Sequence, residues 1–125
     1  MTVARQSLGQ HAEDLVAARL AAAGWEIVER NARTRYGELD LVALDAAALV
    51  FVEVKAGRAG SNFGPERPVL AVDARKQRRL RRLATAWMSE RRGLPRYDDI
   101  RFDAVGVTFD RAGNALDVEH IAAAF

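Results

Sequence analysis

"GELDLVALDAAALVFVEVK", Gly37–Lys55, is the stretch on which the fold turns. Two apolar runs joined by a short alanine turn read as a β-hairpin. The turn is centred between Ala46 and Ala47, so an even-length loop pairs residues whose numbers sum to 93. Leu44 then faces Leu49, Val42 faces Phe51, Asp40 faces Glu53 and Glu38 faces Lys55. Side chains alternate along a strand, which puts Glu53 and Lys55 on one face with Asp40 across from Glu53. Opposed residues hold their Cβ atoms about 4.5–5.5 Å apart, and like charges so placed are destabilising. Two carboxylates this close call for a proton or a metal ion between them. Mg²⁺ takes such oxygen ligands and keeps waters for a substrate phosphate. Two acids and a lysine around a cation form an arrangement that cleaves phosphodiesters. The plain alternative is a Glu38–Lys55 ion pair with Asp40 and Glu53 solvated on an open sheet face. The surroundings weigh against it, because the flanking residues are apolar, a glycine-rich loop follows Lys55 and an arginine-dense helix follows the loop.

Working outward, Leu8, Ala12, Leu15, Val16, Leu20 and Ala23 follow helical spacing, predicting a helix over residues 5–23 that Gly24 ends. "WEIVERN" reads as a first strand with Trp25, Ile27 and Val28 as its apolar members. The segment 56–68, with three glycines and two prolines, reads as a mobile loop. Asp73 is the expected N-cap of a second helix running to about Arg92, stopped by Gly93 and Pro95. Leu80, Leu83, Ala84, Trp87 and Met88 give that helix a continuous apolar stripe. "RFDAVGVTFD" predicts a fourth strand, and the turn at "RAGN" leads to a candidate fifth, "ALDVEH". The order is α-β-β-β-α-β-(β), one α/β domain over residues 1–125 with helices flanking a central sheet of four or five strands.

A chain of 125 residues can remove roughly two thirds of its unfolded surface from water. With no cysteine, disulfides, thiolate metal sites and cysteine nucleophiles are excluded. Met1–Gln10 lacks the apolar core of a signal peptide, and no run is long enough to span a bilayer, so a soluble cytoplasmic protein is expected. The net charge of +2 conceals segregation: Glu66–Arg96 holds ten basic and three acidic residues, an excess of +7, which leaves the remainder at −5. Such clustering produces a local field suited to a polyanion. Seventeen of the nineteen basic residues are arginine, the side chain fitted to bidentate phosphate contacts.

The same residues carry a family resemblance. "GELDLVALDAAALVFVEVKAGR" closely resembles the signature of the YraN-like family of small bacterial proteins. "GQHAEDLVAARLAAAGWEIVERNAR", "PVLAVDARKQRRLRRLATAWM" and "RFDAVGV" match the family's opening helix and first strand, its second helix and its closing strand. That family resembles a branch of the PD-(D/E)XK nucleases near the archaeal Holliday junction resolvases. The resemblance implies a restriction endonuclease-like mixed α/β sheet and a metal-dependent endonuclease acting on DNA, including branched or otherwise structured DNA. It implies Asp40 as the motif aspartate, Glu53 and Lys55 as the (D/E)-x-K pair, the Val54 carbonyl as a further metal ligand and Glu13 as the first-helix acid. Leu39 stands where the motif name has proline. Mg²⁺ or Mn²⁺ would be held by Asp40, Glu53, Val54 and Glu13, with Lys55 positioning the attacking water or offsetting developing charge.

Arg75, Lys76, Arg78, Arg79, Arg81 and Arg82 are expected to track a nucleic-acid backbone without reading its sequence, with Arg33 and Arg35 as secondary phosphate contacts. Lys76 or Gln77 is placed by pattern near the site. Phe63 is a candidate for stacking on a base or for anchoring its loop. His11 and His120 read as surface residues, and Trp25 and Trp87 as core. The competing function is a non-catalytic nucleic-acid-binding accessory protein on the same fold, and RNA in place of DNA finds no RNA-specific module in support. Cutting both strands of a symmetric junction takes two active sites, which a homodimer would supply, but no stretch marks a dimer surface.

Overall fold

The computed structural model describes residues 3–60 and 67–125. Its elements run α1 (Val3–Ala22), β1 (Glu26–Thr34), β2 (Gly37–Asp45), β3 (Ala48–Arg58), a 3₁₀ turn (Pro68–Ala71), α2 (Ala74–Glu90), β4 (Asp99–Phe109) and β5 (Ala115–Ile121). One five-stranded sheet in the order β1-β2-β3-β4-β5 results. β3 and β4 pair in parallel, and the other neighbours pair antiparallel. A parallel pair needs a crossover, and the 3₁₀ turn and α2 belong to it. This is the expected mixed α/β order with the fifth strand present.

Each face of the sheet carries one helix. Ala12, Val16, Ala17 and Leu20 of α1 pack on Leu41, Val50, Val52, Val105, Val107 and Phe109. Leu80, Leu83, Ala84 and Trp87 of α2 pack on Leu39, Val42, Leu49, Phe51 and Phe102, so the predicted stripe is the buried one. β3 reads as the unbroken apolar run of a strand covered on both faces, with Leu49–Val52 all buried. Asp73 caps α2 as expected, accepting from the Lys76 amide at 2.9 Å. At the other end the Arg91 guanidinium donates to both carboxylate oxygens of Glu29, at 2.9 and 2.8 Å, and to the Arg33 carbonyl. Trp87 Nε1 donates to the same Glu29, so one acid on β1 fastens the end of α2.

Two expectations need correction here. The first strand runs to Thr34, not Asn31, because its pairing with β2 continues to Thr34↔Gly37. The 56–68 loop is shorter than expected: β3 continues to Arg58 on its ladder with β4, and Pro68 already belongs to the 3₁₀ turn. Phe63 and the rest of 61–66 lie outside the described residues. The 3₁₀ turn presses on β4 where Gly106 stands, and a Cβ there would lie 2.6 Å from the Val69 amide nitrogen. His120 is exposed, as expected, and its Nε2 also lies 2.7 Å from Asp103 Oδ2.

Asp103 is fully buried in mid-strand β4. It also accepts two bonds from Arg101 and one from the Ala123 amide. Burial alone would raise its pKa, but the donors His120, Arg101 and Ala123 outweigh burial and hold it at about 2. The sequence offered no sign of the whole cluster, because His120 and Ala123 reach Asp103 only when β4 and β5 pair. No described helix is long and apolar enough to cross a membrane.

Replacing Asp103 with alanine leaves the Ala123 amide without its acceptor and the Arg101 guanidinium with Asp45 alone, and is expected to cost roughly 1–3 kcal/mol in a urea titration. The stabilisation from Asp103 is complete above its ordinary value of 3.8 and is lost as pH falls towards 2. Asp103→Asn should therefore show a shallower loss of stability between those pH values than the parent.

Candidate active site

The hairpin register is the expected one, from Asp45↔Ala48 through Leu44↔Leu49 and Val42↔Phe51 to Leu41↔Val52. There the β2–β3 ladder stops, one residue short of Asp40 and Glu53. β3 runs on through residues 53–58 paired with β4 alone. Asp40 occupies the opened edge, its Oδ2 accepting from the Val54 amide at 2.9 Å. A side-chain oxygen thus replaces the carbonyl that a continuing ladder would have supplied.

The alternation of β2 changes at the same point. Leu39 packs on the α2 side and Leu41 on the α1 side, although residues two apart share a face in a regular strand. On β1 the residue across from Asp40 is Asn31, between the pairs Arg30↔Leu41 and Ala32↔Leu39. Asn31 has φ +49°, a left-handed conformation that asparagine tolerates better than most residues. Both strands break step at the level of Asp40.

Four charged groups lie along this fork. The Asp40 carboxyl is within hydrogen-bonding reach of Glu13 from α1 and of Glu53 from β3. Lys55 Nζ stands 3.1 Å from Glu53 Oε1. Glu53 and Lys55 pair with Ala104 and Gly106 of β4, and Ala104 belongs to the α2-side core. The line Glu13–Asp40–Glu53–Lys55 therefore passes from one side of the sheet to the other through the gap between β2 and β3. The expected Glu38–Lys55 pairing does not form. Glu38 instead approaches Arg33 at 3.7 Å, because β2 has left β3 by that level.

The electrostatics follow from the burial. Desolvation, joined by the Glu13 charge, raises Asp40 to about 6 even though the Val54 amide favours its ionised form. Desolvation and the Asp40 charge raise Glu53 to about 7 against the opposing pull of Lys55. Glu13 is raised as well, chiefly by burial. Carboxyls so placed gain from a proton or a cation. The donor set Asp40, Glu53 and the Val54 carbonyl is all oxygen, the chemistry suited to Mg²⁺ or Mn²⁺. Among the described residues no group of three or more His, Cys, Asp or Glu is gathered at metal-ligating distance.

The basic candidates divide into groups. Arg75, Lys76, Arg78, Arg79, Arg81 and Arg82 are all exposed on α2. Arg79 and Arg82 lean on the β1–β2 turn, Arg79 over Gly37 and Arg82 over the Tyr36 ring at 4.1 Å. Arg81 lies over Phe102 and Phe125 on the β4 side. Lys76 Nζ and Gln77 Nε2 donate to the carbonyls of Ala71 and Val72, so both are engaged at the start of α2. Arg33 and Arg35 pair loosely with Glu38 and Glu90 at the other end of the turn. Arg67 and Arg91 are committed to Glu119 and Glu29 and drop out of the basic surface. Tyr36, which sequence reasoning passed over, is exposed beside these arginines. Its place in "RTRYGE", among arginines and before a turn glycine, was the available signal.

The raised carboxyls have a measurable cost. An acid whose folded pKa exceeds its unfolded one makes the protein lose stability as pH rises, here from about 4 to about 7. Asp40→Asn and Glu53→Gln are expected to be more stable than the parent at pH 8 by on the order of 1–2 kcal/mol each, with the gain vanishing near pH 4. Paired urea titrations at the two pH values test this, and equal stabilities at both would contradict it.

Comparison with known proteins places the chain in a family. Residues 12–107 match the model of the uncharacterised protein family UPF0102. A UPF0102 protein of Nocardia farcinica is 47% identical over 121 residues, covering 97% of this chain and 91% of the relative. One from Rhodococcus opacus is 44% identical over 119 residues, 95% of this chain and 96% of its own length. A third, from Geobacter metallireducens, is 40% identical over 125 residues, the whole of this chain and 97% of the relative. With a family match across Glu13, Asp40, Glu53 and Lys55 and relatives similar along nearly their full length, this chain belongs to the UPF0102, or YraN-like, family.

Proposed function

We propose that this protein is a metal-dependent endonuclease that hydrolyses phosphodiesters of DNA, including branched or structured DNA. One observation carries the reading: two carboxyls, raised to about 6 and about 7, lie within hydrogen-bonding reach of each other with a lysine ammonium 3.1 Å from the second. A group needed only for folding would not be kept at that cost, whereas a cation beside a polyanion would repay it. Asp40 and Glu53 would hold Mg²⁺ or Mn²⁺ with the Val54 carbonyl, and Glu13 would steady Asp40 from the α1 side. The bound cation would supply charge for the phosphoryl oxygens and a more acidic water. Lys55 sets an ammonium beside Glu53, where it can orient that water or offset negative charge that develops as the phosphodiester opens. The exposed arginines of α2 would hold the nucleic-acid backbone.

That no three acids are gathered at metal-ligating distance among the described residues favours one second reading, a nucleic-acid-binding accessory protein that has kept the fold. The two readings separate in a cleavage assay on four-way junction, flap, single-stranded and linear duplex DNA with Mg²⁺, Mn²⁺ or EDTA. Cutting is expected with either metal and not with EDTA, and Asp40→Asn or Lys55→Ala should reduce it by roughly two orders of magnitude or more. Binding without cutting under either metal would leave the accessory role. Metal binding has its own readout. Millimolar Mg²⁺ at pH 7.5 should raise the melting temperature of the parent and leave that of Asp40→Asn unchanged.

A further inference from the structure

At the β1–β2 turn, Tyr36 is 46% exposed, with the Arg82 guanidinium 4.1 Å and the Arg35 guanidinium 5.0 Å from its ring centroid. The turn does not need this side chain. Thr34, itself buried, closes it: its Oγ1 donates to the Gly37 carbonyl at 2.8 Å and accepts from the Tyr36 amide at 3.1 Å. Gly37 provides the positive φ of +143° on which the chain leaves the turn. An aromatic ring that served the core would be buried, and this one stands out from the protein, nearly half exposed with two guanidiniums beside it.

The surroundings specify a ligand. Arg75, Arg79 and Arg82 recur at i, i+4 and i+7 and form one stripe along α2. Arg79 reaches over Gly37, next to Tyr36. Among the described residues neither Arg79 nor Arg82 has a carboxylate within ion-pair distance, whereas Arg33 and Arg35 have Glu38 at 3.7 Å and Glu90 at 3.6 Å. A guanidinium lying on a ring keeps its edge donors directed outward, which suits a phosphate. An exposed ring beside such donors suits the face of an unpaired base, since stacking needs no particular base identity. Gly37 lies three residues from Asp40, about 10 Å along an extended strand, a separation of one to two nucleotides.

We infer that Tyr36, with Arg79 and Arg82, is a binding site for an unpaired nucleotide, Tyr36 stacking on its base and the arginines holding the adjoining phosphates. A paired base cannot offer its face to the ring. The site therefore discriminates single-stranded segments from continuous duplex and directs them to the sheet fork. This rests on the nucleic-acid part of the proposed function but not on catalysis.

The test is fluorescence anisotropy in EDTA, with a labelled single-stranded oligothymidylate and a linear duplex of the same length. Tyr36→Ala is expected to weaken single-strand binding about tenfold and to leave duplex binding unchanged, with Tyr36→Trp restoring it. Because Thr34 holds the turn, the melting temperature of Tyr36→Ala should match the parent. Arg82→Ala should reduce the salt dependence of binding to both substrates by about one unit of slope. Equal loss on both substrates, or no loss on the single strand, overturns the assignment. Failure of the parent to bind either substrate overturns both this site and the nucleic-acid reading. Tyr36-dependent binding by a protein that cuts nothing leaves the site standing and removes only the nuclease.

Discussion

The hydrogen bond from the Val54 amide to Asp40 Oδ2 is the contact on which the candidate site depends. A sheet edge that opens in the interior of a protein exposes backbone donors, and each must find a partner. Where β2 leaves β3, that partner is a carboxylate, so the end of the ladder and the placement of an acid are one event. The same bond draws Asp40 towards β3, within reach of Glu53, and Glu13 arrives on α1 from the side that Leu41 and Val52 help to build. Loss of the ladder is compensated elsewhere: residues 53–58 of β3 stay fixed by their full parallel pairing with β4.

The burial that makes these acids costly also makes them responsive. Desolvation is the largest influence on Asp40, Glu53 and Glu13, and all three are raised. Asp103, the other deeply placed acid, shows the opposite outcome. It is fully buried where they are half-buried, yet the donors His120, Arg101 and Ala123 hold it ionised, at about 2. One carboxylate is saturated with donors and serves the structure. The acids at the fork are left with too few donors for their charge, the condition expected of groups that receive something from outside.

The basic surface shows a similar division of labour. Arg67 and Arg91 are tied to Glu119 and Glu29 and fasten the crossover to the sheet. Arg81 covers the stacked rings of Phe102 and Phe125. Arg79 and Arg82 remain at the β1–β2 turn, exposed beside Gly37 and Tyr36. A count of charge along the chain treats all of these alike, and only their partners separate structural from available cations.

Much of this protein was determined by sequence alone, wherever the relevant partners are near neighbours or obey a short period. The period of two and the centred alanine turn set the hairpin register through Leu41↔Val52, and so brought Asp40 to the level of Glu53. The helical stripe of Leu80, Leu83, Ala84 and Trp87, and the Asp73 cap, were legible for the same reason. The tertiary structure alone decided where the ladder stops, since that depends on Asp40 competing for an amide 14 residues away. It also decided that Glu38 meets Arg33 and not Lys55, and that Asp103 gathers His120 and the Ala123 amide. Extending an ideal hairpin predicts continued pairing. The protein departs from it because burial and long-range hydrogen bonds, which no local pattern records, outweigh the regular ladder at the one level where the acids collect.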